Sequence, residues 1–183
     1  MFGSHGYDGT SVEEILDRAG VTAPSLYHHF GNKAGLYCAA ANHAFAEIFE
    51  RILNQAEGDS SGARRIQAVF LAGLEAVREA PDIAPFVHYV RVDSARRPEL
   101  QDARAGYAPL EKWLASAVQD GLDDGSLTTK CSASVLISIV SFLVSGLSSQ
   151  VLIDVAEFEE RSRQLIAAFD RGGVFGPDAR RRR

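Results

Sequence analysis

The 183-residue chain is predicted to be all-α. Apolar residues recur at spacings of three and four, and no stretch alternates apolar and polar long enough to suggest a sheet. Turn signals cut the chain into helix-sized pieces: Gly6 to Gly9, Gly20, Gly31-Asn32, Gly58 to Gly62, Ala80 to Pro85, Arg97-Pro98, Gly121 to Gly125 and Gly172 to Pro177. The Gly/Ser/Asp stretch at Gly58–Gly62 is too short to separate independent domains and reads as a loop between helices.

The elements follow in order. Thr10-Ser11-Val12-Glu13 fits a capping box, with the Thr10 hydroxyl capping and Glu13 reaching back. Val12, Ile15, Leu16 and Ala19 give one apolar face of a short helix, which Gly20 ends in a left-handed position. Thr22 caps a second helix that tolerates Pro24 in its first turn. There Ala23, Leu26 and Phe30 share the inward face, while Pro24, Ser25 and His28 face outward. Gly31 ends it, and Asn32 caps a third helix beginning at Lys33 and running through Leu36, Ala40, Phe45, Ile48, Phe49 and Ile52. Two short helices joined by a three-residue turn holding a glycine make a helix-turn-helix. Further helices are predicted at Ala63–Glu79, Pro85–Ser94, Leu100–Asp120, Ser132–Ile153 and Ala156–Arg171.

Residues from Cys131 to Ile153 carry no formal charge over 23 positions, but seven serines and Gln150 make them poor for lipid. Ser134, Ser138, Ser141, Ser145 and Ser148 form a narrow seam of small residues that admits a close helix neighbour. Leu136, Val140, Leu143 and Leu147 form a bulky seam beside it. The segment is expected to be core plus subunit interface, with no membrane partner. Val155, Phe158, Leu165, Ile166 and Phe169 are available to the same interface, so two helices per subunit would make a four-helix contact.

Composition excludes several classes. At 46% hydrophobic and 23% charged residues the chain is not wholly disordered. Cys38 and Cys131 form no CxxC, which excludes a cysteine framework or a cysteine-rich zinc site, and a reducing, cytoplasmic location is expected. No HExxH, phosphate-binding glycine loop or GxSxG occurs, and His28 and His29 lie about 100° apart on a helix, unsuited to sharing one metal. No cofactor, metal or catalytic residue is assigned. The net charge of −5 hides an uneven distribution, because residues 171–183 carry five arginines against Asp178.

The outward face of the second helix has chemistry suited to duplex DNA. Residues near the N-terminus of a recognition helix read base edges in the major groove, and flanking groups hold phosphates. Ser25 and His28 can donate or accept at base edges, and Tyr27 and His29 point sideways toward phosphate. Lys33 combines an ammonium with the free N–H groups of a helix start. Spacing alone equally fits an αα-corner in an all-helical protein.

The ordered residues Gly6-Tyr7-Asp8-Gly9-Thr10-Ser11-Val12, Ala19-Gly20-Val21-Thr22, Ser25-Leu26-Tyr27-His28-His29-Phe30-Gly31-Asn32-Lys33 and Leu36 resemble the DNA-binding region of TetR-type transcriptional regulators. The resemblance implies an all-α homodimer with an N-terminal helix-turn-helix domain at residues 1–42 and a helical effector-binding and dimerisation domain at 43–175, here followed by a basic tail at 176–183. It implies double-stranded DNA and an unidentified small-molecule effector as partners. Matching positions place phosphate contacts on Thr10, Thr22, Tyr27, His29 and Lys33, and base reading on Ala23, Pro24, Ser25 and His28.

The chain departs from the pattern at its start, where Met1 to His5 resemble only the last turn of the family's first helix. Without that helix, Ile15, Leu16, Leu26 and Phe30 are expected to lack one wall of their core, and residues 1–33 carry Arg18 and Lys33 against four acidic side chains. A start codon further upstream is the expected explanation. The effector pocket is expected among Phe70, Leu74, Phe86, His88, Tyr89, Arg91, Tyr107, Trp113 and Phe142, with Arg91 paired either to a ligand carboxylate or to Asp93 or Glu99. The expected function is a repressor released from a near-palindromic operator by the effector. The alternatives are a ligand-binding dimer without DNA affinity and an all-α enzyme.

Overall fold

The computed structural model describes residues 1–56, 61–150 and 153–170, the side chains at 147, 148, 169 and 170 excepted. The basic tail, and the side chains of Leu147, Ser148 and Phe169, therefore lie outside the described residues. All regular structure among the described residues is helical: α1 (Phe2–His5), α2 (Val12–Ala19), α3 (Ala23–Phe30), α4 (Lys33–Ala56), α5 (Gly62–Glu79), α6 (Ile83–Arg96), a 3₁₀ segment (Pro98–Tyr107), α7 (Ala108–Asp123), α8 (Ala133–Gln150) and α9 (Val155–Asp170).

The start of α2 differs from expectation by one residue. Ser11, not Thr10, is the N-cap, accepting the Glu14 N–H at 3.2 Å while Glu14 accepts the Ser11 N–H. Both registers satisfy the S/T-x-x-E pattern. Thr10 is taken out of the competition because its hydroxyl donates to the Gly6 carbonyl at 2.8 Å and is buried. Gly20 closes α2 at φ 65° and ψ 30°, a conformation that penalises a β-carbon. Thr22 occupies the N-cap of α3, but its hydroxyl makes no cap bond; its carbonyl accepts the Leu26 N–H. Asn32 caps α4 through its Oδ1, which accepts the Gly35 N–H at 2.8 Å.

A single helix over Leu100–Asp120 does not form. The 3₁₀ segment Pro98–Tyr107 leads instead into α7, with Pro109 in the first turn. Proline has no N–H and crowds the carbonyl four residues back, so α-geometry cannot pass through it but can begin at it. At the other end of α7, Asp124 and Ser126 cap α5 from outside, accepting the Gly62 and Ala63 N–H groups. The two backbones come so close there that a β-carbon on Gly62 would sit 2.1 Å from the Gly121 nitrogen.

Buried apolar side chains gather in two clusters. A distal cluster takes Ile52, Ile66, Phe70, Leu114, Leu136, Val140 and Phe158 from α4, α5, α7, α8 and α9. A junction cluster takes Phe2, Tyr37, Phe45, Phe86, Val90 and Leu100 from α1, α4, α6 and the 3₁₀ segment. Helix α4 enters both and, at 24 residues, spans about 36 Å. No helix among the described residues is long and apolar enough to cross a membrane.

Candidate functional site

Helix α3 presents one anchoring side chain and a broad exposed surface. Leu26 is buried and Ala23 half-buried, whereas Pro24, Ser25, Tyr27, His28 and His29 are exposed, as is Thr22 before them. Phe30, expected to face inward, is 39% exposed. Helix α2 likewise buries no residue fully; Ile15 and Leu16 are half-buried. Thr10 lies inside with its hydroxyl engaged, so its side chain is not part of the exposed surface. Lys33 is half-buried, its ammonium 4.5 Å from the centroid of the Tyr7 ring. The Arg97 guanidinium lies near the same ring and also pairs with Asp8 and Glu99.

A buried polar contact ties this end of the molecule to α6. Asp93 Oδ2 accepts the Tyr7 backbone N–H at 3.1 Å and the Tyr37 hydroxyl at 2.9 Å. Burial, and then that bond to Asp93, hold the Tyr37 phenol well above its ordinary range. The Tyr37 ring meets Phe2, Tyr7 and Phe86 edge-to-face, with centroids 4.8 to 5.2 Å away. Of the alternative partners expected for Arg91, Asp93 gives its carboxylate to the two tyrosines and Glu99 pairs with Arg97.

A cavity of about 70 Å³ lies within the distal cluster. Ile48, Val69, Phe70, Val87, Leu110 and Phe158 wall it, with Arg91, Tyr107 and Ser162 as its polar-tipped members. The Ser162 hydroxyl is buried with no hydrogen-bond partner among the described residues. Burial raises the Tyr107 phenol above its ordinary value. Beside the cavity, between α6 and α8, an open groove of about 660 Å³ is lined by His88, Arg91, Arg96, Arg104, Phe142 and Ser149 among others. No group of three or more His, Cys, Asp or Glu side chains is placed to hold a metal among the described residues.

Residues 1–40 match the family model of bacterial regulatory proteins, tetR family. A stretch of 131 residues is 26% identical to the HTH-type transcriptional regulator YezE of Bacillus subtilis, covering 69% of this chain and 67% of that protein. Another of 77 residues is 31% identical to the HTH-type transcriptional repressor KstR2 of Mycobacterium tuberculosis, covering 42% of this chain but only 38% of the repressor. The solved structure of that ketosteroid transcriptional regulator superposes with a TM-score of 0.71 at 18% identity, over 97% of this chain and 90% of the other. Residues 1–40 are thus a TetR-type helix-turn-helix region, and the rest of the chain shares the helical fold of these structures.

Beyond the TetR-type region the sequence-predicted pocket residues do not converge on one place. Phe70 and Tyr107 line the cavity, while His88 and Phe142 line the groove. Phe86 belongs to the junction cluster, and the Tyr89 ring lies against Gly6. Trp113 packs edge-on to Phe49 with the Arg65 guanidinium over it, and Leu74 is buried in the distal cluster. Aromatic character shows that these side chains seek burial; helix packing decides which core receives them. Of the predicted interface, Ser134 and Ser138 are exposed, and Ser141, Ser145 and Leu165 are half-buried. Phe158 is a correction: it is 5% exposed, inserted into its own chain's distal cluster and cavity wall, because α9 turns that face toward α5. Sequence reasoning missed the roles of Asp93, Ser162, Arg96 and Arg104. Only the lone apolar-face position of Ser162 hinted at any of them.

Proposed function

We propose that this chain is a homodimeric DNA-binding regulator of transcription whose grip on a near-palindromic operator is loosened by a small molecule. The observation carrying this reading is the face of α3, where every position from Pro24 to His29 except Leu26 stands in solvent. Ser25 and His28 suit base edges, Tyr27 and His29 suit flanking phosphates, and the start of α4 with Lys33 adds N–H groups and a cation.

Helix α6 supplies the connection. It lends Val87 and Arg91 to the cavity wall and, on its other sides, Phe86, Val90 and Asp93 to the junction. A ligand that prefers a shifted α6 would move the anchor of Tyr7 and Tyr37, and with it the reading heads. Dimerisation draws support from α8, where Val135, Ile139 and Phe142 are exposed at 47%, 40% and 75% in helical register beside the serine seam. A second copy apposing the same face would bury that stripe.

Fluorescence anisotropy on DNA from upstream of the chain's own gene tests the reading. Lys33→Ala is expected to weaken specific and random duplexes alike and to reduce the salt slope by about one. His28→Ala is expected to change preference at one base position by about 1–3 kcal/mol. Equal losses for His28→Ala on specific and random DNA remove its base-reading role. No binding to any duplex returns the chain to the alternative of a ligand-binding dimer without DNA affinity.

A further inference from the structure

The cavity and the groove share one residue, Arg91, which lines both. On the cavity side the surroundings are hydrocarbon, apart from the unpartnered Ser162 hydroxyl and the Tyr107 phenol. On the groove side three guanidinium groups, Arg91, Arg96 and Arg104, converge with His88 and no acidic side chain. None of the three arginines has a carboxylate within ion-pairing distance among the described residues. That contrasts with Arg51, Arg65, Arg78, Arg97, Arg161 and Arg163, each paired to at least one carboxylate. In a chain of net charge −5, three unpaired arginines on one groove are a local excess of positive potential.

The geometry points to a binding site for an amphipathic anion, with its slim apolar body in the cavity and its anionic head among Arg91, Arg96 and Arg104. Three features carry this assignment. A cavity walled chiefly by hydrocarbon favours an apolar group over a charged one. Planar guanidinium forks suit carboxylate or phosphate oxygens in the bidentate arrangement. Arg91, standing in both linings, fixes where body gives way to head. The buried Ser162 hydroxyl, unsatisfied in the free protein, offers a hydrogen bond to an oxygen carried on the body. The assignment rests on the reading of the distal half as an effector domain, and it narrows the effector to one chemical class. The head can be a carboxylate or a phosphate, since both present the same oxygen geometry.

Isothermal titration calorimetry on the full chain tests the site with five probes: decanoate, the mid-chain hydroxylated acid 5-hydroxydecanoate, decyl phosphate, decanol and inorganic pyrophosphate. Decanoate or decyl phosphate is expected to bind at least tenfold more tightly than decanol, and the better of the two identifies the head. Pyrophosphate, which has a head and no body, is expected to bind at least tenfold more weakly than decyl phosphate. Arg96→Gln and Arg104→Gln, both at exposed positions, are expected to weaken the preferred anion five- to tenfold each while leaving decanol unchanged. Ser162→Ala is the internal control for a body in the cavity, lowering affinity for a mid-chain hydroxylated acid but not for decanoate. Equal affinity for decanol and both anions overturns the assignment, as does indifference of the preferred anion to both arginine substitutions. Concentration-dependent sedimentation showing the groove closed by a second copy, with no probe bound, overturns it too. The two readings fail separately. Anion binding that leaves DNA affinity unchanged preserves the site and removes its regulatory role, whereas release from DNA by a neutral ligand alone does the reverse.

Discussion

The junction cluster and the distal cluster are both made of buried aliphatic and aromatic side chains, yet they are finished differently. At the junction the Tyr37 hydroxyl and the Tyr7 N–H converge on Asp93, and four rings interlock around them, leaving only the small Ser94 hydroxyl of α6 buried without a partner among the described residues. In the distal cluster the Ser162 hydroxyl, buried without a partner among the described residues, stands in the wall of a cavity of about 70 Å³. A satisfied, close-packed core resists displacement, while an incompletely filled one gains from an added molecule. The difference therefore assigns rigidity to the region beneath the helix-turn-helix and receptivity to the region that holds the cavity. Substitutions should act with opposite sign in the two clusters.

The largest effect is expected at the junction. Tyr37→Ala removes a fully buried ring from contact with three others and should cost about 3–5 kcal/mol in urea unfolding. Tyr37→Phe keeps the ring and loses only the hydroxyl donated to Asp93, so about 1–2 kcal/mol is expected, since Asp93 retains the Tyr7 N–H. If the two substitutions cost the same, the polar bond rather than the ring packing holds this region together. A loss of DNA affinity in Tyr37→Phe beyond its loss of stability would show that Asp93 also sets the attitude of the reading heads.

In the distal cluster the sign should reverse. Ser162→Ala takes away a buried hydroxyl with no partner from mid-helix and is expected to raise unfolding stability by about 1 kcal/mol. A destabilised variant would mean that the hydroxyl is satisfied in solution. Gly73→Ala should add up to about 1 kcal/mol, because it removes a glycine from the interior of α5. A β-carbon there meets the Phe158 ring at 3.6 Å, an ordinary contact, and projects into the cavity wall. The same substitution should weaken any apolar ligand of the cavity. Higher thermal stability with undiminished ligand affinity would place the ligand elsewhere.

These contrasts also mark what the sequence reveals by itself. The α2–turn–α3 unit is legible because its signals are local: Gly20 and Gly31 end helices at positive φ, and Asn32 caps the next one. The cap of α2 misleads by one residue because two hydroxyls fit the same pattern, and only Gly6, four residues before Thr10, decides between them. The long helices are legible in number and place. The break at Tyr107 is written in Pro109, but helical periodicity on either side conceals it. The recognition face was identifiable because one helix and its outward positions define it. The cavity and groove were not, because Arg91, Ser162, Phe70 and Arg104 come from four separate elements, and nothing in the local pattern says which faces meet. Asp93 illustrates the same limit. Its sequence neighbour Arg91 suggests a surface pair, whereas its actual partners lie 86 and 56 residues away.

The smallest effect concerns acidity and separates the clusters by their titratable groups. Burial, reinforced by the positive charge of Arg91, holds the His88 imidazole below its ordinary value of 6.5. Its ring faces Ser149 of α8, whose hydroxyl lies 3.2 Å from Nδ1, and the groove around it offers only Arg91, Arg96 and Arg104 as charged neighbours. Above pH 6.5 the imidazole is neutral whether the chain is folded or not, so it contributes no pH dependence there. Below 6.5 the unfolded chain takes up the proton first, and stability falls with pH until the folded imidazole also titrates. Melting temperatures between pH 7 and 5 should therefore decline more steeply in the native chain than in His88→Gln. An anion seated among the three arginines would reverse the local field and raise the imidazole. With decanoate or decyl phosphate bound, the difference between native and variant slopes should then shrink. A slope unchanged by the substitution would mean that His88 meets solvent freely and that the groove is wider in solution than between α6 and α8 as folded here.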